Sequence, residues 1–484
     1  MPVGFLQYGD SHPDIIEQFS CLSDSADSDG IGSMVLTGSS YSFTTDGIQV
    51  NDHPTTGATD LVWESAFCTA NSLVSGFTVQ FECEKAAFAA TFSSPSGVVQ
   101  QTFVRMSGAP TTTQIFNSVT AGGPARWRAY HSGNIGEAKT IDTGYRSHVI
   151  ATVSFDPAKG TNGTLDLYAD FFLVGSYALP ADVTSITELG LMGAGTGAIP
   201  GFVERIKNVM IMGTPTSLTG VNEKEICVVA DSWVANYGQY QSGSDSDNVP
   251  PITGYTTDDY GDGTIVSSTS YKNRCFFAAL HYELVLLGIY PKDGTIKMHS
   301  RGGANLSNAG TNKFEYRTTS ALQSTGASFV DPTSPAPVPG LGVAAADIWI
   351  AHLGTNNIGG GATVADLIID SKTEIDRMRA DGAELIIFDN VARRFDDPNT
   401  GVEEDAAAVQ ALNAGIAELQ GYMDVTRVCD MYTGWVTAYG TSDGIHPTAE
   451  GQVYWAQQVA KQIKAGLGLG GSVGIGTIIG RIIS

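Results

Sequence analysis

Two textures of hydrophobic and polar positions divide the chain. From about residue 32 to 213, apolar and polar residues alternate with a period near two, in short runs bounded by Gly, Pro, Asn or Ser. Residues 77–82, 98–106, 125–131 and 149–155 are such runs, and each predicts a half-buried strand. Residues 163–174 predict a hairpin and 201–212 a closing strand. With no helical period in this stretch, an all-β sandwich is expected. Residues 213–222 read as a linker. After them, continuous apolar runs at 226–230, 295–299, 347–353, 384–390 and 425–430 alternate with helical patterns at 273–288, 363–380, 402–420 and 447–465. That alternation predicts a parallel α/β sheet. Pro447 is expected in the first turn of the last helix. The implied organisation is a polar segment 1–30, a β-sandwich 31–215, an α/β domain 222–466 and a glycine-rich apolar tail 467–484.

Composition narrows the function classes. A chain of 484 residues exceeds one typical core. Its 42% hydrophobic and 16% charged residues exclude a disordered chain. A formal net charge of -24, with no Lys/Arg block, argues against nucleic-acid or anionic-membrane partners. No apolar run is long enough to span a membrane. Residues Met1–Gly4 lack the charged and apolar regions of a signal peptide, so none is expected. The six cysteines form no CxxC and no zinc pattern. They read as reduced core residues, with a Cys68–Cys83 disulfide left open. Asp24, Asp27 and Asp29 before Gly30 offer calcium-type oxygens without EF-hand spacing, and a solvated acidic turn is expected. The tail is too glycine-rich for a stable helix and is expected to pack on a partner chain.

Candidate chemistry begins where the apolar run 226–230 meets Asp231-Ser232-Trp233. A serine at the carboxyl end of a parallel strand sits where α/β sheets place ligands, and is a candidate nucleophile if a base can reach it. A helix cap would use the same residue. Three further stretches follow apolar runs or precede the last helix: His299-Ser300-Arg301-Gly302-Gly303, Gly354-Thr355-Asn356-Asn357 and Asp443-Gly444-Ile445-His446-Pro447. Three other matches to nucleophile motifs, at Gly9-Asp10-Ser11, 440–444 and 470–474, lack a preceding strand and are set aside. His299 and His352 read as strand residues without a catalytic role.

Ser, Gly, Asn and Asp-x-x-His in this chain order resemble the SGNH (GDSL-type) hydrolase superfamily over about 240 residues. The resemblance implies a three-layer, flavodoxin-like α/β domain. In it Ser232 is the nucleophile, His446 its base and Asp443 the acid that orients the imidazole. The oxyanion hole would comprise the Ser232 and Gly302 backbone N–H groups, with Gly303 an alternative to Gly302, and the Asn356 amide. Ala230 and Asn357 depart from the family's glycine and acid without removing a catalytic group. Trp233 and Asn390 are candidate substrate contacts, and for Trp233 a place in the core is the favoured alternative. The stretches 163–174 and 201–212 resemble late strands of concanavalin A-like (laminin-G-like) jelly rolls, which implies a lectin-like glycan-binding module or a spacer. The whole chain looks like a bacteriophage tail spike or fibre esterase. That resemblance implies an enzyme without cofactor or metal, removing O-acetyl groups from a capsule or O-antigen polysaccharide at the host surface. Its partners would be its own copies, as a trimer, and other virion proteins. The alternative is a non-catalytic glycan-binding adhesin.

Overall fold

A computed structural model describes residues 5–22, 31–36, 41–51, 59–84, 98–108, 113–120, 125–131, 134–137, 148–160, 163–179, 184–193, 203–216, 222–231, 233, 255–257, 276–300, 313–317, 326–330, 346–358, 362–397, 401–440 and 444–469. The chain forms two compact units, Met1–Val221 with Asp245–Pro250, and Asn222–Ser244 with Pro251–Ser484.

The first unit is antiparallel. Its strands are β1 (Ile15–Phe19), β2 (Val35–Leu36), β3 (Tyr41–Thr44), β4 (Gly47–Asn51), β5 (Thr59–Trp63), β6 (Phe77–Glu84), β7 (Val98–Ser107), β8 (Thr113–Thr120), β9 (Ala125–His131), β10 (Asn134–Glu137), β11 (His148–Asp156), β12 (Thr164–Ala169), β13 (Phe172–Ala178), β14 (Glu188–Gly193) and β15 (Val203–Met212). One sheet runs β13-β12-β11-β6-β15-β4-β3, with β1 also on β15; the other runs β10-β9-β8-β7-β14-β5-β2. Alternate residues from both sheets share one core, including Val79, Phe81, Val153 and Leu167 with Leu61, Trp63, Val104 and Leu191. The β12–β13 hairpin turns through Asp170 and Phe171, both at positive φ, as a tight two-residue hairpin requires.

Two expectations change here and one open alternative closes. Residues 1–30 contain β1, which pairs with β15; five residues without alternation leave no periodic signal. A six-residue helix, α1 (Ser65–Ala70), interrupts the strands. Cys68 and Cys83 are buried free thiols, as the reading of reduced core cysteines expects, and the disulfide left open between them is absent. Each hydrogen-bonds a different carbonyl, Trp63 O at 3.4 Å and Val149 O at 3.5 Å.

The second unit carries a parallel sheet. Its elements are β16 (Glu223–Ala230), β17 (Tyr255–Thr257), α2 (Phe276–Leu286), β18 (Tyr290–Ser300), β19 (Lys313–Arg317), β20 (Gly326–Val330), β21 (Ile348–His352), α3 (Val364–Ala380), β22 (Leu385–Asp389), β23 (Arg394–Asp397), β24 (Val402–Glu404), α4 (Ala406–Ala417), β25 (Thr426–Cys429) and α5 (Ala449–Gly466). The sheet order is β17-β18-β16-β21-β22-β25, with every pair parallel. Apart from the short edge strand β17, this is the 2-1-3-4-5 order of flavodoxin-like sheets, and it reverses between β16 and β21. Strands β21 and β22 are buried at every position, as expected of a sheet covered on both faces. Cys227, Val229, Trp349, Ala351, Ile386 and Phe388 pack against α3 and α4. The alternate positions face the other way, towards Trp455 of α5, which stacks on Phe276 of α2 with ring centroids 3.6 Å apart. Two boundaries differ from expectation: residues 402–404 are strand, not helix, and Pro447 precedes the cap of α5, Thr448, whose hydroxyl accepts from Gly451 N at 3.2 Å.

Candidate active site

Asp231 follows the last residue of β16 and is fully buried. Its N–H donates to the His352 carbonyl at 3.2 Å. Its Oδ1 accepts from Trp233 N at 3.0 Å, an Asx-type turn that spans position 232. Its Oδ2 accepts from the Asn356 side-chain amide at 3.4 Å. Gly354, at φ 127°, turns the chain after β21 and starts the short 3-10 helix Thr355–Asn357 that carries this amide.

His446 arrives from the opposite end of the unit's sequence. Its loop is held by Phe395 of β23, whose N–H donates to Gly444 O at 3.1 Å. Gly444 has φ 71°, and a Cβ there would lie 1.7 Å from Phe395 O, so the approach requires glycine. Thr448 N–H donates to Tyr439 O at 2.7 Å and fixes the start of α5 directly after the loop. Burial pushes the Asp231 carboxyl above the ordinary carboxylate range. The His352 imidazole, the Trp233 N–H and the His446 imidazole each offset part of that rise, so His446 lies within electrostatic reach of Asp231.

A buried layer supports this turn. His352 Nδ1 is 3.1 Å from Asp389 Oδ2, and that oxygen also accepts from Trp455 Nε1 at 2.5 Å. The His352 ring stacks on Trp233 with centroids 4.1 Å apart, and Trp233 lies 4.9 Å from Trp435.

Of the residues that sequence alone nominated, Asn356 hydrogen-bonds Asp231 and His446 lies within electrostatic reach of the same carboxyl. Ser232, Asp443 and Gly302 lie outside the described residues, as do Gly303, the acidic turn at 24–29 and the tail from 470. Two candidates for substrate contact are corrected. Trp233 is 2% exposed and packs beneath the turn, because its indole fills the space between His352, Trp435 and Trp455. Asn390 spends its amide on its own fold: Nδ2 donates to Asp430 Oδ1 at 3.1 Å, and Oδ1 accepts from Met431 N at 2.6 Å and Tyr432 N at 3.1 Å. Gly9-Asp10-Ser11 lies in a turn closed by Asp10 N to Gln7 O.

Sequence reasoning missed Asp231 as the hub and His352, Asp389 and Trp455 beneath it. A signal existed: His352 and Asp389 are polar residues closing two otherwise apolar strands. Among the described residues, no group of three His, Cys, Asp or Glu side chains is arranged to hold a metal ion, and no helix is long and apolar enough to cross a membrane. The arrangement places a carboxamide donor on the Asp231 carboxylate at the end of β16, where the strand order reverses.

No protein-family model and no curated protein matches this chain. Among solved structures it is similar to a Trypanosoma rangeli sialidase in complex with 2,3-difluorosialic acid, at 13% identity over 43% of this chain and 32% of the sialidase, with TM-score 0.30. It is similar to a family two carbohydrate esterase from Clostridium thermocellum in complex with cellohexaose, at 11% identity over 90% of this chain and 99% of the esterase, with TM-score 0.32. An acetyl esterase mutant with an acetate ion aligns at 14% identity over 51% of this chain and 99% of its own, with TM-score 0.29. The chain spans about a third of the length of the sialidase it matches. Likenesses at these scores carry no argument about this chain's fold or activity.

Proposed function

We propose that the α/β unit is a serine esterase of the SGNH type. Ser232 attacks the ester carbonyl while His446 takes its hydroxyl proton and returns it to the departing alkoxide. Asp443 holds the imidazole, and the Ser232 and Gly302 N–H groups with the Asn356 amide stabilise the oxyanion. Water, activated by His446, then releases the acid and restores Ser232. One observation carries the reading: the Asn356 amide, from a distant part of the chain, hydrogen-bonds Asp231, the residue before Ser232, at 3.4 Å.

The substrate in this reading is an O-acetylated polysaccharide, and the setting a phage virion acting on the host's capsule or O-antigen as a trimer. The ground for the polysaccharide is the pairing with a β-sandwich, an analogy of architecture. The centre of one sandwich sheet is not itself open to a sugar. Gln80 on its outer face donates to Leu6 O at 3.1 Å and Thr78 to Thr214 O at 2.8 Å, so the chain's own segments cover it.

The test is turnover of p-nitrophenyl acetate by the full chain, then acetate release from O-acetylated capsule. Ser232→Ala should lower kcat by about 10⁴-fold or more. Glycan binding with no turnover of either substrate identifies an adhesin and refutes the esterase.

A further inference from the structure

His352 touches both chain neighbours of Ser232. Its carbonyl accepts the Asp231 N–H at 3.2 Å, and its ring stacks on Trp233 at 4.1 Å and an interplanar angle of 29°. The two contacts use different parts of the residue. The carbonyl is fixed by β21, but the ring is free to turn about its side-chain torsions unless something holds it. Asp389 does so. Its Oδ2 lies 3.1 Å from Nδ1 and is itself fixed by the Trp455 indole N–H at 2.5 Å. A carboxylate accepts only, so Nδ1 carries the hydrogen and the tautomer is set. His352 Nε2 has no hydrogen-bond partner among the described residues, which leaves the Asp389 contact to orient the ring. His352 is 2% exposed, Asp389 1% and Trp455 0%, so neither ring nor carboxylate touches a substrate.

We infer that His352, locked by Asp389 and Trp455, is a positioning residue for the nucleophile. Through its carbonyl and its ring it grips the turn on both sides of Ser232, at the strand ends of β16, β21 and β22. The inference rests on the esterase reading above. Efficient attack needs the hydroxyl held in a near-attack geometry, and a misplacement of about 1 Å costs on the order of 100-fold. Positions 352 and 389 would therefore control the rate of acylation without contributing to substrate affinity.

The full chain and three variants, His352→Ala, His352→Phe and Asp389→Asn, are assayed with p-nitrophenyl acetate. The concentration of competent sites is counted by stoichiometric labelling of Ser232 with a fluorophosphonate. We expect His352→Ala to lower kcat per labelled site by about 10–100-fold with KM changed less than twofold. His352→Phe restores the stack but not the lock, and should fall between His352→Ala and the wild type, as should Asp389→Asn. If the residue only supports the fold, the variants lose labelled sites while kcat per site stays at the wild-type value, and the inference is overturned. Should His352→Ala not fold, the Phe and Asn variants decide the matter by the same ratio. A wild-type chain that neither turns over the ester nor takes the label refutes the esterase reading itself, and this inference with it. An active wild type with unaffected variants refutes the inference alone.

Discussion

In the sandwich, the buried polar side chains form short local sets. Thr216 donates to the Thr78 hydroxyl at 2.9 Å, Thr78 to Thr214 O, and Thr152 to Gln80 at 3.3 Å. Its buried acids are matched nearby: Asp166 by Lys159 at 2.8 Å and by the Ser176 hydroxyl, Asp170 by the Ile150 N–H at 2.8 Å. In the α/β unit the buried polar groups include ionisable side chains gathered at the ends of neighbouring parallel strands. Asp231, His352 and Asp389 lie at the ends of β16, β21 and β22. Burial without a full set of partners is tolerated there: Asp389 Oδ1 and His352 Nε2 have no hydrogen-bond partner among the described residues. The contrast marks the strand ends of the α/β unit as a candidate site, since a buried carboxyl raised by its surroundings, as Asp231 is, is a feature of such sites.

The comparison breaks most visibly at His446. His446→Ala should lower esterase kcat by about 10⁴-fold or more, whereas polar substitutions in the sandwich leave it unchanged. Gly444→Ala comes next. A side chain at φ 71° that overlaps Phe395 O should destabilise the α/β unit by about 2–4 kcal/mol in urea unfolding, with a fall in kcat because the His446 loop must move.

A buried histidine sharpens the contrast through pH. Burial pushes His281 down to about 3, so the folded unit keeps it neutral while the unfolded chain protonates near the ordinary value. Its stabilising contribution is complete above about 6.5 and is lost as pH falls towards 3, at up to about 1.4 kcal/mol per pH unit. His281→Leu should flatten that slope in urea midpoints measured between pH 7 and pH 4, and parallel slopes would contradict it.

Asp231 carries the opposite sign. Its folded pKa is raised, so its contribution is complete below the unfolded value and lost as pH rises through the folded one. Asp231→Asn should raise Tm by about 2–4 °C at pH 8 and not at pH 3, while kcat falls because the Asn356 amide loses its carboxylate acceptor. A variant equally destabilised at both pH values would refute this. The smallest effect belongs to the sandwich: Thr216→Val removes one neutral hydrogen bond and should cost about 1 kcal/mol with unchanged turnover.

Periodicity made the major elements legible. Continuous apolar runs marked β16, β21, β22 and β25, and the 3.6-residue pattern marked α3 and α5, because each buries a face wide enough to impose its period on the sequence. Elements too short for a period were not legible, among them β1, α1 and the β23–β24 hairpin whose Phe395 grips Gly444. The residues Asn356 and His446 stood out by their order along the chain. What the sequence by itself determined was therefore the alternation of strand and helix, and the polar residues at strand ends. Only the tertiary structure decided that β21 lies between β16 and β22, and so that His352 meets Asp389 and Trp233. Neighbours in a parallel sheet are set by how crossover helices pack, and local hydrophobic patterning carries no record of it.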